Sequence, residues 1–423
     1  MDGLILGFIA ILACICFYLL NGQVKISKRA IWAIYFVILA AMAASFFYKI
    51  GYTITHTQFW DFTCFYLYGK VSSAGYNFYS PENFHTVFNS LHLPAILNSS
   101  NESYAGFIND CVNIGFPYPT PTILYFVPLG FLSYQTALVV WMLFISSFAF
   151  ACIYLIYLLF FKDYKLNGLM LVSILFFTLP QTRGTIFYTQ TNFILLFLLL
   201  LMNKYSDKKW AGIFLAIAFF TKPYMLIFII YFIIRKNWGA ILFFILSAAA
   251  LAGCVLAIFG LSPFQNYLFN NHASRYTKSV FFEANNQSLH SVLLRNHLIS
   301  VDNPQAYMYL SIAILILTGI FLLYLLKKKL YNNIFSVLLL ISLAIYPGTL
   351  DHYGVILLFI IFQFFNLKNS LGLKPYWCIF AIGLFYCMSS FSLFLTICFL
   401  LIFLVYKSFK PTVDFKHLAL NHA

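Results

Sequence analysis

Long apolar runs constrain this chain more than any other feature. The runs at 4–20, 31–48, 138–161, 238–261, 307–326 and 390–406 are each long enough to cross about 30 Å of hydrocarbon as α-helices. They are continuous rather than alternating, which favours helices over a transmembrane barrel. The chain is 62% hydrophobic and only 9% charged, so an ordinary soluble domain is excluded. We expect an all-α polytopic membrane protein, with about 11–13 transmembrane helices in one membrane domain over 1–423.

Basic residues are concentrated in short connections between these runs. Segments 22–30, 162–165, 203–209, 235–236, 327–329, 368–374 and 407–416 hold most of the 25 Lys and Arg. The positive-inside rule places these segments in the cytoplasm. Residues 51–120 and 262–306 then form two large outer loops, and the first is long enough to hold interfacial helices. The net charge of +14 is explained by this distribution, so it does not indicate a nucleic-acid partner.

A few ionisable residues stand at the outer ends of the apolar runs, where a charge is costly and therefore a candidate for function. Asp61 follows Phe59 and Trp60 in the first outer loop. A carboxylate that is partly desolvated by such neighbours is a candidate general base. The structural alternatives are a solvated loop residue and a helix N-cap.

Cationic candidates lie further along the chain. Lys222 precedes Pro223 inside an apolar stretch, so its charge needs an anion, and a phosphate is the natural one. Arg183 can grip a phosphate with two parallel hydrogen bonds. The alternative for both residues is a side chain that snorkels to water. His352 follows Asp351, and this pair either contacts a phosphate or is structural.

Polar side chains without charge complete the candidate set. Gln190 and Asn192 open a helix of Phe and Leu, where their amides bind hydroxyl groups or simply cap the helix. No closely spaced set of His, Cys, Asp and Glu is present, and neither is an Asp-x-Asp pair, so we expect no metal and no cofactor. Cys64 and Cys111 share the first outer loop, and both the paired and the free state are open for them.

In sequence order, several of these segments resemble glycosyltransferase family 87, whose members are polytopic enzymes of the GT-C fold. The resemblance rests on Asp61 to Tyr79, Phe116-Pro-Tyr-Pro-Thr-Pro, Val127-Pro-Leu-Gly-Phe-Leu with Trp141, Gln190-Thr-Asn192, Ala211 to Pro223, Asn286-Gln-Ser-Leu and Tyr346 to Tyr353. The chain departs from the family pattern in three places. Tyr118-Pro-Thr-Pro replaces Tyr-Pro-Pro, a single His352 followed by Tyr353 replaces a double histidine, and an extra N-terminal helix comes first.

The resemblance implies an inverting transfer of a hexose, with mannose as first choice, from a polyprenyl-phosphate donor to a lipid or glycan acceptor. The reaction is expected on the extracytoplasmic face of the plasma (inner) membrane, among membrane lipids. Asp61 is expected to act as general base, and the donor phosphate to be bound by Lys222, His352, Arg183 and Arg275. The expected sugar and acceptor contacts are Gln190, Asn192, Asn286, Gln287, Tyr118 and Asp351.

A transporter or flippase for a lipid-linked or anionic solute is the alternative function. It also places charged side chains within the membrane, but it predicts polar groups through the full depth and pseudo-symmetric halves. In this chain the polar residues collect at the outer ends and the halves are not visibly alike. The sequence therefore favours the enzyme.

Overall fold

Helices form where the sequence carries an apolar run, because a helix satisfies its own backbone hydrogen bonds in lipid. This computed structural model describes residues 2–21, 27–55, 61–91, 108–113, 116–269, 285–300, 304–366, 382–386, 388 and 392–409. Within these ranges no β-strand forms, and β-type pairing is limited to an isolated bridge between Asn286 and Leu350. The all-α fold predicted from the sequence is confirmed.

The described α-helices are, in chain order, α1 (Asp2–Asn21), α2 (Lys28–Thr55), α3 (Asp61–Ser73), α4 (Pro81–Ser90), α5 (Val127–Gly130), α6 (Tyr134–Ile156), α7 (Lys165–Thr178), α8 (Pro180–Phe187), α9 (Asn192–Lys204), α10 (Ala211–Thr221), α11 (Phe228–Ile234), α12 (Trp238–Phe259), α13 (Ser262–Phe269), α14 (Leu289–Arg295), α15 (Pro304–Lys327), α16 (Tyr331–Ile345), α17 (Leu358–Asn366) and α18 (Leu393–Phe409). Tighter or wider turns interrupt them as 3-10 helices at Thr120–Tyr125, Lys162–Tyr164, Pro223–Ile227 and Asp351–Leu357, and as π-helices at Ile108–Asn113 and Tyr157–Phe161.

Among the described residues, four helical stretches are long and apolar enough to span a membrane. They are Lys28–Thr55, Tyr134–Thr178, Trp238–Phe259 and Tyr307–Lys327. Shorter apolar helices of 10–17 residues accompany them, including α9 and α10. This set of apolar helices identifies a polytopic membrane protein, whereas the exact number of crossings stays a prediction.

Short helices and sharp breaks mark the part of the molecule where the predicted site residues lie. Lys222 adopts an extended backbone conformation between α10 and the 3-10 helix Pro223–Ile227, as expected for the residue before a proline. Pro180 begins the eight-residue α8, which packs against the 3-10 helix Asp351–Leu357. Each break ends a helix in this part of the molecule. Polar side chains at these helix ends therefore lie close together.

Helix α3 is held against α5 by a close approach of two backbones. A Cβ at Gly69 would lie 2.3 Å from the carbonyl oxygen of Phe126, and one at Gly130 would lie 2.2 Å from that of Gly69. Phe65 of α3 stacks on Phe126 with ring centroids 4.6 Å apart, and Trp141 of α6 closes the cluster at 5.7 Å from each ring. Since Asp61 is the first residue of α3, this packing fixes its position.

Both loops predicted to lie outside contain helices. The segment 51–120 begins inside α2 and carries α3, α4 and the π-helix, while 56–60, 92–107 and 114–115 lie outside the described residues. The segment 262–306 carries α13, α14 and the start of α15, with 270–284 and 301–303 outside the described residues. A hydrogen bond of 3.2 Å from Asn77 Nδ2 to Ser262 Oγ joins the two segments. The division into loops and their placement at the membrane interface stay predictions.

Candidate active site

The Asp61 carboxylate is paired with a buried amide from the turn between α8 and α9. Gln190 Nε2 donates a 2.6 Å hydrogen bond to Asp61 Oδ2. Trp141 fixes that turn, because its indole nitrogen donates to the carbonyl oxygen of Thr189 at 2.8 Å. Thr189 has a positive φ of 54°, which turns the chain sharply before Gln190. Two residues that the sequence analysis treated separately, Asp61 and Gln190, are therefore in direct contact.

Lys222 is buried with only 3% exposure and is surrounded by aromatic rings. Its Nζ donates a 2.5 Å hydrogen bond to the Tyr353 hydroxyl and lies 4.3 Å from the centroid of that ring. The Tyr118 ring is 5.4 Å away. Burial lowers the pKa of Lys222 to about 7, and the nearby negative charge of Asp61 opposes this shift. A desolvated ammonium held over two rings has a strong field, so it is suited to bind an anion.

Tyr118 is close to both the carboxylate and the ammonium. Burial, followed by the nearby negative charge of Asp61, raises the pKa of Tyr118 well above its ordinary value. Its phenol therefore stays protonated near neutrality and can donate a hydrogen bond but not accept a proton as a base. This chemistry agrees with a substrate-binding position rather than a catalytic one.

Hydrogen bonds to its backbone hold His352 in place, so that its imidazole ring can contact other groups. Its carbonyl oxygen accepts hydrogen bonds from Asn192 Nδ2 at 3.1 Å and from Thr185 Oγ1 at 3.2 Å. The imidazole lies 5.2 Å from the Tyr188 ring, measured between centroids, and the charge of Lys222 acts on it. The amide nitrogen of Asn192 is thus used to hold the His352 backbone.

Several buried polar atoms at this site have no hydrogen-bond partner within the described part of the chain. They are His352 Nε2, Gln190 Oε1, Asn192 Oδ1 and Thr182 Oγ1. Buried polar atoms are rarely left this way, because each one costs free energy unless a ligand or water satisfies it. Gln190 lies in the turn between α8 and α9, and the other three residues belong to α8, α9 and the 3-10 helix Asp351–Leu357, which pack together. These atoms therefore indicate a place for a polar ligand.

The segment 262–306 is fastened to the chain that leads into His352. Asn286 Nδ2 donates to the Pro347 carbonyl oxygen at 2.7 Å, and Asn286 Oδ1 accepts from the Ser288 backbone at 3.1 Å. The Gln287 backbone nitrogen donates to the Thr349 carbonyl oxygen at 2.7 Å, and Gln287 Oε1 accepts from Ser392 Oγ at 2.9 Å. These contacts use the polar atoms of Asn286 within the protein.

The other predicted residues have different surroundings. Asp351 Oδ1 accepts a long hydrogen bond of 3.5 Å from Gln181 Nε2, and its backbone nitrogen donates to the Asn285 carbonyl oxygen at 2.8 Å. Arg183 lies on α8 but is directed to α2, where its Nη2 donates to Ser45 Oγ at 3.0 Å. Arg275 lies outside the described residues. In the described ranges no group of three or more His, Cys, Asp and Glu is placed to hold a metal.

Tyr353, Thr185 and Tyr188 are contacts of the site that the sequence analysis did not select. Tyr353 was noted only as a departure from a double histidine, although its position next to His352 in a 3-10 helix places it against Lys222. The position of Tyr353 directly after the candidate residue His352 could have indicated that it belongs to the site. Thr185 and Tyr188 gave no signal, because they depend on how α8 packs against the 3-10 helix Asp351–Leu357.

The chain matches a model of a protein family. The model described as "Glycosyltransferase family 87" matches residues 116–347, which is more than half of the chain. The matched region includes Tyr118, Gln190, Lys222 and Asn286, begins after Asp61 and ends before His352. No curated protein and no solved structure matched the chain.

Proposed function

Because the chain belongs to glycosyltransferase family 87 and is a membrane glycosyltransferase, we propose that it moves a hexose from a polyprenyl-phosphate donor to a lipid or glycan acceptor. Mannose is the sugar to test first. The observation that carries the proposal is the arrangement of the half-buried Asp61 with the buried residues Gln190, Lys222 and Tyr353. A carboxylate and a buried cation within electrostatic reach supply the two charges that this transfer needs.

Asp61 acts as the general base in this proposal. The carboxylate takes the proton of the acceptor hydroxyl while the hydroxyl oxygen attacks the anomeric carbon. The bond from that carbon to the phosphate oxygen breaks on the opposite side, so the configuration inverts. Gln190 orients the base, because its amide holds Asp61 Oδ2 at 2.6 Å.

Lys222 and His352 bind the leaving group, which is the polyprenyl phosphate. The departing polyprenyl phosphate gains negative charge as the bond breaks, and the buried ammonium of Lys222 stabilises that charge. His352 Nε2 has no hydrogen-bond partner within the described residues and is suited to contact a phosphate oxygen. Gln190 Oε1 and Asn192 Oδ1 are buried acceptors of the kind that bind sugar hydroxyls, and Tyr118 is a donor.

The helix directions and the basic connections support an extracytoplasmic location. Helix α2 begins beside Arg29 and ends towards Asp61, whereas α9 begins at the site and ends at Lys204. The basic connections are thus at the opposite helix ends from the cluster. Since basic connections favour the cytoplasm, we propose that the site is outside, in the plasma (inner) membrane.

The test is a transfer assay with purified protein, radiolabelled polyprenyl-phosphate mannose and a membrane lipid extract. Asp61→Asn keeps the shape of the side chain but removes the proton acceptor, so turnover should fall about 10²–10⁴-fold. Asp207→Asn is the matched control, because Asp207 is 61% exposed at a basic connection and its ion pair among the described residues is with Lys208 at 3.8 Å. Its turnover should equal that of the wild type.

Near-normal turnover of a folded Asp61→Asn protein would refute the assignment of Asp61 as the general base. Donor binding by the wild type without transfer would show that the sugar or acceptor is wrong. Neither binding nor transfer would contradict the polyprenyl-phosphate donor. The family assignment favours a glycosyltransferase over the transporter alternative.

A further inference from the structure

Trp141 joins two parts of the site that come from different places in the chain. Its ring lies 5.7 Å from the ring of Phe65, measured between centroids. Phe65 is one turn after Asp61 on α3, so the two side chains lie on the same side of that helix. The indole nitrogen of Trp141 donates to the Thr189 carbonyl oxygen at 2.8 Å, directly before Gln190. Trp141 therefore contacts both the helix of the proposed base and the turn that carries its amide partner.

The backbone at Thr189 has a conformation that threonine does not favour. Its φ of 54° lies in the left-handed region, which β-branched residues rarely adopt. Such a conformation persists only where the surrounding structure holds it. Inside the turn, the Gln190 nitrogen donates to the Thr185 carbonyl oxygen at 2.9 Å. The buried indole of Trp141 adds a contact from a different helix, α6.

Loss of the indole N–H would leave the Thr189 carbonyl oxygen without that donor. A buried acceptor without a donor is costly, so the turn should relax towards an ordinary conformation. Gln190 would move with the turn, and its 2.6 Å hydrogen bond to Asp61 Oδ2 would lengthen or break. Helices α6 and α9 would stay joined elsewhere, since the Cys152 thiol donates to the Phe193 carbonyl oxygen at 3.3 Å. The effect should therefore be confined to the site.

We propose that Trp141 is a positioning residue that acts on the general base through Gln190. Its effect on turnover rests on the proposed function, whereas its effect on the contact between Gln190 and Asp61 holds for any substrate. A hydrogen bond to a carboxylate favours the ionised form and fixes the direction of the side chain. Lys222 and Tyr118 also act electrostatically on Asp61, and a substitution at Trp141 leaves both of these groups in the protein.

Side-chain NMR of the full-length protein in detergent tests the contact without any substrate. The protein carries isotope-labelled glutamine, and the amide resonance that is missing from Gln190→Leu belongs to Gln190. Asp61→Asn shows how this resonance moves when the carboxylate is lost. Trp141→Phe keeps an aromatic ring but has no N–H, so the resonance should move in the same direction. An unchanged Gln190 resonance in Trp141→Phe would overturn the proposal.

Turnover with the polyprenyl-phosphate donor is the second measurement. Trp141→Phe should lower kcat about tenfold, the size expected for a lost hydrogen bond to a charged group, with a smaller change in KM. The acidic limb of the profile of kcat against pH should move to higher pH, because a less stabilised carboxylate ionises at higher pH. In a Gln190→Leu background, Trp141→Phe should have no further effect on kcat, because the two residues act in series.

Phe144→Leu is the matched control. Phe144 contacts the same indole ring, with centroids 5.6 Å apart, but it is 39% exposed and its replacement leaves the indole N–H in place. The Gln190 resonance, kcat and the pH profile of this variant should equal those of the wild type.

Equal losses in Phe144→Leu, or additive losses when Trp141→Phe is combined with Gln190→Leu, would mean that the indole matters only for packing. Either result would overturn the proposal. Absence of transfer by the wild type would instead count against the proposed donor, and the NMR result would still decide the role of Trp141.

Discussion

At the residue scale, the buried cation of the site is held by aromatic side chains. Lys222 donates to the Tyr353 hydroxyl at 2.5 Å and contacts the rings of Tyr353 and Tyr118. A carboxylate in direct contact would neutralise the ammonium, whereas rings and a hydroxyl leave most of its charge for a ligand. A proline after the lysine keeps the backbone out of the helix, so the side chain turns inward.

The Tyr353 hydroxyl should therefore matter for donor binding. Tyr353→Phe keeps the ring 4.3 Å from the ammonium but removes the hydrogen-bond acceptor. Loss of a hydrogen bond to a charged group should lower kcat/KM for the donor about tenfold or more, with folding retained. Steady-state kinetics with varied donor measures the effect.

Tyr224→Phe serves as the control for that substitution. Tyr224 stacks near Tyr353 with centroids 6.3 Å apart, and its buried hydroxyl has no hydrogen-bond partner in the described part of the chain. Its removal should leave kcat/KM nearly unchanged. Equal losses for both variants would show that any change in this cluster of rings is harmful, and would refute a specific role for the Tyr353 hydroxyl.

At the element scale, the position of the proposed base depends on the contact between α3 and α5. Gly69→Ala would bring a methyl group to 2.3 Å from the Phe126 carbonyl oxygen, so α3 must shift. Such overpacking commonly costs about 1–3 kcal/mol of folding free energy. Because Asp61 begins α3, transfer activity should fall together with the Tm. Gly253 lies on α12 with open space around it, so Gly253→Ala should change neither the transfer activity nor the Tm.

Much of the element pattern could be predicted from the sequence, because long apolar runs have few alternatives in lipid. The break at Lys222-Pro223 was also predictable, since proline cannot continue the hydrogen bonds of α10. Contacts made by short elements were not. The direction of Arg183 depends on how the eight residues of α8 pack between α2 and the 3-10 helix Asp351–Leu357, and the sequence does not specify that packing. The use of Asn286 to fasten a loop likewise depends on a distant partner, Pro347.

At the scale of the whole molecule, the basic connections and the polar residues of the site lie at opposite ends of the helices. Asn77 contacts Ser262, so the two segments predicted to lie outside meet at one end. Asp207 and Lys208 lie at the far end of α9 from Gln190. With the positive-inside rule, this separation predicts that Tyr76 faces the extracytoplasmic side and Asp207 the cytoplasm.

Cysteine labelling in intact cells tests that orientation. Tyr76 is 44% exposed and Asp207 is 61% exposed, so Tyr76→Cys and Asp207→Cys should both react once they are accessible. Cys254 is an exposed native thiol, so both substitutions are made in a Cys254→Ser background, which is labelled in parallel. A membrane-impermeant maleimide should label Tyr76→Cys in intact cells and Asp207→Cys only after permeabilisation. The reverse pattern would place the Asp61 cluster in the cytoplasm and would require a donor presented on that side, while the family assignment would stand.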